Sequence, residues 1–154
     1  MASILIGHDE MLSAWAAKRI PHVGEAGFGA CKAVGVATGF DAADKLLAVV
    51  VFHDYHPEYS HCQISVAGAD PRWVSKATLR ALLSIPFEQY GLWKTFVSMR
   101  HKDERTIRFA KAVGFTQEAI LKDHYGRGIH AVVCRLLKPD YERIYWKPKQ
   151  AKAA

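Results

Sequence analysis

The run Leu46-Leu47-Ala48-Val49-Val50-Val51-Phe52 constrains this chain more than any other stretch. It is far too short to cross a bilayer. From Lys45 to Phe52 the segment is nearly continuous in apolar and β-branched residues, which suits a strand buried on both faces. Two more strand candidates flank it. Cys31 to Phe40 is small and β-branched, with glycines that suggest a bulge or a ligand close to the backbone. Asp41-Ala42-Ala43-Asp44 then reads as a turn. His61 to Ala67 follows a loop rich in His, Asp and Pro. The short connections favour an antiparallel meander.

Helical periodicity brackets these strands. Asp9 to Arg19 carries Leu12, Trp15, Ala16 and Arg19 on one stripe, with Asp9 and Glu10 at its N-terminus. Arg72 to Gln89 places Val74, Ala77, Thr78, Ala81, Leu82 and Ile85 on one face, and Pro86 should kink its last turn. Trp93 to Met99 reads as a strand. Asp103 to Val113 reads as a helix that Gly114 ends. Glu118 to Lys122 and Ile129 to Leu137 form a hairpin around Tyr125-Gly126-Arg127-Gly128. Tyr141, Ile144 and Tyr145 have the spacing of a short helix docked on the core. The order α, β, β, β, α, β, α, β, β means α+β or mixed α/β.

The 154 residues are half hydrophobic, 23% charged and 11% aromatic, so the chain is globular and fits one domain, 1–154. The N-terminus lacks the basic start of a secretion signal. Cys31, Cys62 and Cys134 have no paired spacing and read as reduced thiols of a cytoplasmic protein. The net charge of +6 is uneven: residues 94–111 carry +4 and residues 138–154 carry +3. That pattern fits either a solvated face with a tail disordered from about residue 147, or a site for a polyanion.

Two local sequences carry the chemistry. Ala67-Gly68-Ala69-Asp70-Pro71-Arg72-Trp73-Val74-Ser75-Lys76-Ala77 joins a strand to a helix N-terminus. Free N–H groups and the helix dipole suit that junction to a pyrophosphate, although an unliganded strand-to-helix loop has the same appearance. The second runs from Asp103-Glu104-Arg105-Thr106-Ile107-Arg108 through Val113-Gly114-Phe115 to Glu118. It resembles the C-terminal signature of the GCN5-related N-acetyltransferase (GNAT) superfamily, and more narrowly the branch that acetylates ribosomal-protein N-termini. The segment 72–77 is similar to that superfamily's acetyl-CoA loop. In size and style the chain also resembles acetyltransferase-like proteins of tailed phages.

The resemblance implies a mostly antiparallel sheet splayed between strands 61–67 and 93–99 and flanked by helices 9–19, 72–89 and 103–113. Acetyl-CoA would sit in the opening as cosubstrate. Ile64, Ser65 and Val66 would pair with the pantetheine arm. The N–H groups of Arg72, Trp73, Val74, Ser75, Lys76 and Ala77 would take the pyrophosphate, with Asp103, Arg105 and Phe109 nearby. The basic segment 94–111 would then answer the cofactor's phosphates, which disfavours nucleic acid as a partner. The sequence departs from the family at several positions. Ala110 stands where many members have a general-acid tyrosine. Thr106 stands at the serine of the N-terminal branch and is the expected hydroxyl, although it also suits a local backbone bond. Asp103 replaces an asparagine and also suits a helix N-cap. Ser75 replaces a glycine.

Acetyl transfer to a primary amine, whether a protein N-terminus or a small molecule, needs a neutral amine, an oxyanion donor and orientation. His61, Glu58, His53 and Glu118 are the candidate bases. His61 is the expected one, and Glu118 is more often structural. On the acceptor side the candidates are His53, Glu58, His124, Tyr125 and His130. The spacing of His53, His56 and His61 is unspecific for a metal, and none is expected. Two other readings follow from the same residues: a GNAT-fold binding protein without catalysis, and an acetyltransferase directed at RNA or aminoacyl-tRNA. A homodimer is an option that many relatives take. Nothing points to a membrane.

Overall fold

The computed structural model describes residues 2–38 and 45–146. The turn expected at 41–44, the end of the strand expected to reach Phe40, and the tail from 147 lie outside these residues. Seven strands form one sheet in the order β1-β2-β3-β4-β5-β7-β6. They are β1 (Ser3–Leu5), β2 (Cys31–Ala37), β3 (Leu46–His56), β4 (His61–Gly68), β5 (Lys94–Arg100), β6 (Thr116–Leu121) and β7 (Ala131–Leu137). Among the described residues four α-helices cover the sheet: α1 (Asp9–Ala17), α2 (Lys76–Ser84), α3 (Glu104–Val113) and α4 (Lys138–Tyr145).

The doubly buried run behaves as its composition demands. Leu47 to His53 of β3 are all buried, with β2 and β4 antiparallel on either side. One face of the sheet meets α1 through Leu12, Ala16, Ile20, Val49, Val51 and Ala67. Asp9 Oδ1 ties that helix down by accepting from the Ala33 N–H at 3.0 Å. The other face carries the larger core, including Val50, Phe52, Ile64, Leu82, Phe87, Leu136 and Tyr141. The short C-terminal helix docks here as its spacing predicts. Tyr141 stacks on Phe87 with centroids 4.9 Å apart, and its hydroxyl donates to Glu88. The Tyr145 hydroxyl donates to the Val113 carbonyl.

The strands β4 and β5 position the site. They run parallel and pair only from His61↔Lys94 to Gln63↔Phe96. Ser60 pins the closed end, because its carbonyl accepts from the N–H groups of Trp93 and Lys94 at 3.0 and 3.1 Å. Beyond Gln63 the strands part, and the sheet opens as a V. The expected splay is therefore present, with strand limits of 61–68 and 94–100 rather than 61–67 and 93–99.

Helix limits also differ from expectation. The first helix ends at Ala17, although Arg19 still stacks over Trp15, its guanidinium carbon 3.6 Å from the ring centroid. The helix expected from Arg72 begins at Lys76. Pro71–Trp73 instead forms a short 3₁₀ turn, held by Asp70 Oδ1 accepting from the Arg72 N–H at 2.9 Å. Ser75 is the true N-cap, accepting from the Thr78 N–H at 3.1 Å. Val74 and Ala77, expected on the apolar face, are exposed in consequence. Pro86 is absorbed by a π-helical turn over Ile85–Gln89. Strand β1 was not expected from the sequence. Three residues are too few to show alternation, and pairing with β2 alone defines it.

Helix α3 starts one residue later than expected, with Asp103 as its N-cap accepting from the Thr106 N–H. It ends at Gly114, whose φ of 125° lies where side chains are strained. Replacing Asp103 by alanine should cost about 1 kcal/mol of stability, read as a lower midpoint in urea denaturation.

Candidate active site

The opening between β4 and β5 holds a cavity of about 580 Å³. Its walls come from β4 (Ile64 to Gly68), β5 (Val97 to Arg100), α2 (Leu79, Leu82, Leu83) and α3 (Thr106, Phe109, Ala110, Val113). A second cavity of about 300 Å³ lies on the α1 side of the sheet, bordered by Phe28, His53, Asp54, Gln63, His124 and Tyr125. His22 and Ser65 line both. The alternation of β4 explains the two-sidedness. Ile64 and Val66 point to one side, and Gln63, Ser65 and Ala67 to the other.

The larger cavity fits a long, partly apolar ligand. Past Gln63 the edge of β4 turned away from β3 has no strand partner, so main-chain groups are offered to a ligand as to another strand. Trp73 closes one end, packed edge-on against Phe109 with centroids 5.6 Å apart. A Cβ on Gly68 would lie 3.2 Å from Trp73 Nε1, so this turn is already close. The expected pyrophosphate segment divides in two. The Arg72 N–H is taken by Asp70, and the Val74 N–H by the Pro71 carbonyl at 3.1 Å. Ser75 caps α2, and Lys76 and Ala77 are its first positions, where N–H groups lack intrahelical acceptors. The Arg72 side chain is engaged too, its Nε and Nη2 donating to Asp70 Oδ2 at 2.9 and 2.7 Å. Arg72, Val74, Ser75, Lys76, Ala77 and Arg105 are exposed and outside the cavity lining, whereas Trp73, Asp103 and Phe109 line it. Thr106 also lines it, with its hydroxyl donating to Asp103 Oδ2 at 2.7 Å.

On the α1 side the ionisable groups converge. His53 Nε2 lies 2.8 Å from Ser65 Oγ, and its Nδ1 lies 3.5 Å from Asp54 Oδ2. Burial holds the His53 pKa below the ordinary histidine value, against the pull of Asp54. His22 is lowered by burial and by the charges of Arg100 and His124. It stacks on Tyr125, with centroids 4.2 Å apart. The Tyr125 hydroxyl meets Ser98 Oγ at 2.5 Å, and burial raises its pKa. His22 and His53 are therefore held toward their neutral form and Tyr125 toward its protonated one. Both histidines resist protonation when folded but accept it when unfolded. Stability should therefore be full above about pH 6.5 and fall as the pH drops below it, as denaturant midpoints measured across that range would show.

The other anticipated residues lie elsewhere. His61 packs among His56, Tyr59 and Phe96 at the closed end of the V, its buried Nδ1 without a hydrogen-bond partner among the described residues. Glu58 pairs with His56 at 3.1 Å on an exposed turn. Glu118 is held by Lys94 at 2.9 Å and Arg135 at 3.7 Å. His130 accepts from the Asp123 N–H at 2.9 Å and stabilises the β6–β7 loop. Among the described residues no group of three or more His, Cys, Asp or Glu is placed to hold a metal ion, and no helix is long and apolar enough to cross a membrane. Sequence reasoning missed His22, Phe28, Ser98 and Arg100. Their common signal is spatial, since His22 meets Tyr125 from the far end of the chain.

The sheet is split between parallel strands beside a strand-to-helix turn, and solved structures superpose on this fold. The fold is that of the GNAT acetyltransferases. A variant spermidine N-acetyltransferase from Vibrio cholerae superposes with a TM-score of 0.68 at 13% identity, covering 91% of this chain and 95% of that one. A chimera of the Vibrio cholerae enzyme and hSSAT gives 0.67 at 14% identity, over 91% and 98%. A candidate acetyltransferase from T. thermophilus gives 0.64 at 18% identity, over 76% and 64%. No protein-family model and no curated protein matches the sequence. At these identities the likeness to GNAT structures is one of fold.

Proposed function

We propose that the protein is an acetyl-CoA-dependent N-acetyltransferase in which a primary amine attacks the thioester directly. The observation that carries this reading is the junction at Ser65. There the apolar cleft meets His53, hydrogen-bonded to Ser65 Oγ and held toward its neutral form by burial. The walls of Ile64, Val66, Leu82, Val97 and Phe109 suit the pantetheine arm, and Ser75 to Ala77 suit the pyrophosphate. Bound acetyl-CoA supplies the electrophilic carbonyl.

His53 takes the role first expected of His61. Asp54 beside Nδ1 favours the tautomer with its proton there, which leaves Nε2 to accept from Ser65. The amine proton then passes through Ser65 Oγ to His53 Nε2. Thr106 borders the larger cavity and Tyr125 the acceptor-side one, as hydroxyl donors to the departing sulfur. The Thr106 proton is engaged by the Asp103 carboxylate, whereas the half-buried Tyr125, whose pKa burial raises, shares its hydrogen bond only with the neutral Ser98 hydroxyl, so Tyr125 is the donor we assign. The unpartnered main chain of β4 polarises the carbonyl. Release of free thiol from acetyl-CoA tests the reading. Saturable release that depends on an added primary amine is expected. Binding of acetyl-CoA without release by any amine would instead favour a binding protein.

A further inference from the structure

The cleft carries a charge that the chemistry above does not use. Arg100, two residues beyond Ser98 on β5, lines the larger cavity beside His22. Among the described residues its buried Nε has no hydrogen-bond partner and its guanidinium no carboxylate partner. Its charge is felt at both His22 and Tyr125, next to the proton-transfer groups. Arg19 stands at the same mouth, stacked on Trp15 and, among the described residues, likewise without a carboxylate. Two carboxylates border the cleft, but each is engaged. Asp103 serves Thr106, and Asp54 faces His53. A half-buried guanidinium whose buried Nε lacks an acceptor is completed by an anionic ligand.

We infer that the acceptor is a small primary amine bearing an anionic group, a carboxylate or a phosphate, which Arg100 holds while the amine reaches Ser65. The inference rests on the acetyltransferase reading. The acceptor-side cavity of about 300 Å³ meets the larger, Arg100-lined cavity at His22 and Ser65, and its size suits the amine-bearing end of an amino-acid-sized ligand whose anionic end reaches Arg100. Its imidazole and phenol faces accept the carbon skeleton between the two charged ends. A polyamine would put further positive charge beside Arg19 and Arg100, with no free carboxylate among the described cleft residues to receive it.

The test compares amine-dependent thiol release with γ-aminobutyrate, O-phosphoethanolamine, n-butylamine and putrescine at equal acetyl-CoA. The expected result is a kcat/KM at least about tenfold higher for an anionic amine than for n-butylamine, as one charge-assisted hydrogen bond in a partly buried site provides. The better of the two anionic amines identifies carboxylate or phosphate. Arg100→Gln should bring the ratio of anionic to neutral amine close to one, and Arg100→Lys should restore part of it. If Arg100→Gln does not fold, the panel on the unaltered protein decides. Equal or faster turnover of n-butylamine or putrescine overturns this inference and leaves the acetyltransferase reading standing. No turnover with any amine overturns both.

Discussion

Replacing His53 by glutamine should lower kcat roughly 10²- to 10³-fold, the usual contribution of a positioned general base. Acetyl-CoA affinity should stay within a factor of about two, because His53 borders the acceptor cavity and not the apolar one. Glutamine keeps a donor toward Ser65 and roughly fills the buried site, so the loss reads the proton acceptor and not a collapse of packing. The pH profile gives a second readout. Burial depresses the folded pKa of His53, so its active neutral form predominates above about pH 6.5. Activity should therefore fall on an acidic limb below that pH, and the variant should lack the limb. His61→Gln is the contrast. His61 sits among aromatic rings at the closed end of the V, so its loss should leave the acidic limb in place.

Phe87→Ala should cost about 3–5 kcal/mol of stability. Phe87 is fully buried in the π-helical turn that follows α2, and its ring stacks on Tyr141 of α4. Removing the ring leaves a void between a prolyl turn and a short helix, neither of which can easily close on it. For a chain of this size the loss corresponds to a melting temperature lower by roughly 10 °C. Denaturant and thermal unfolding would show it. Phe87 does not line the cleft, so surviving folded protein should still bind acetyl-CoA. A change below about 1 kcal/mol, well under the usual cost of such a deletion, would mean that α4 does not pack on the π-helical turn as described.

What the sequence disclosed and what it concealed divide along physical lines. The strand from Leu46 was legible because burial on both faces leaves a continuous apolar run. Helix α3 was legible because Asp103 caps it and only glycine suits the φ at 114. The splay between β4 and β5 came from family resemblance, since no local pattern encodes where a ladder stops. The start of α2 was misjudged because Asp70 and Pro71 build a turn of their own, which leaves Ser75 to cap the helix. The site was half legible. Ile64 to Val66, Trp73, Thr106, Phe109, His53 and Tyr125 do border the cleft. His22 and Arg100 enter it through contacts between distant segments, and His61 leaves it because alternation alone does not say how far along β4 the V opens.

The central claim is that the V between β4 and β5 is an acetyl-CoA site. Calorimetric titration of the protein with acetyl-CoA tests it most directly. One site with micromolar affinity is predicted, and Val66→Trp, which places an indole in the cavity beside β4, should abolish it. No binding at millimolar acetyl-CoA, or unchanged binding by Val66→Trp, would contradict the account.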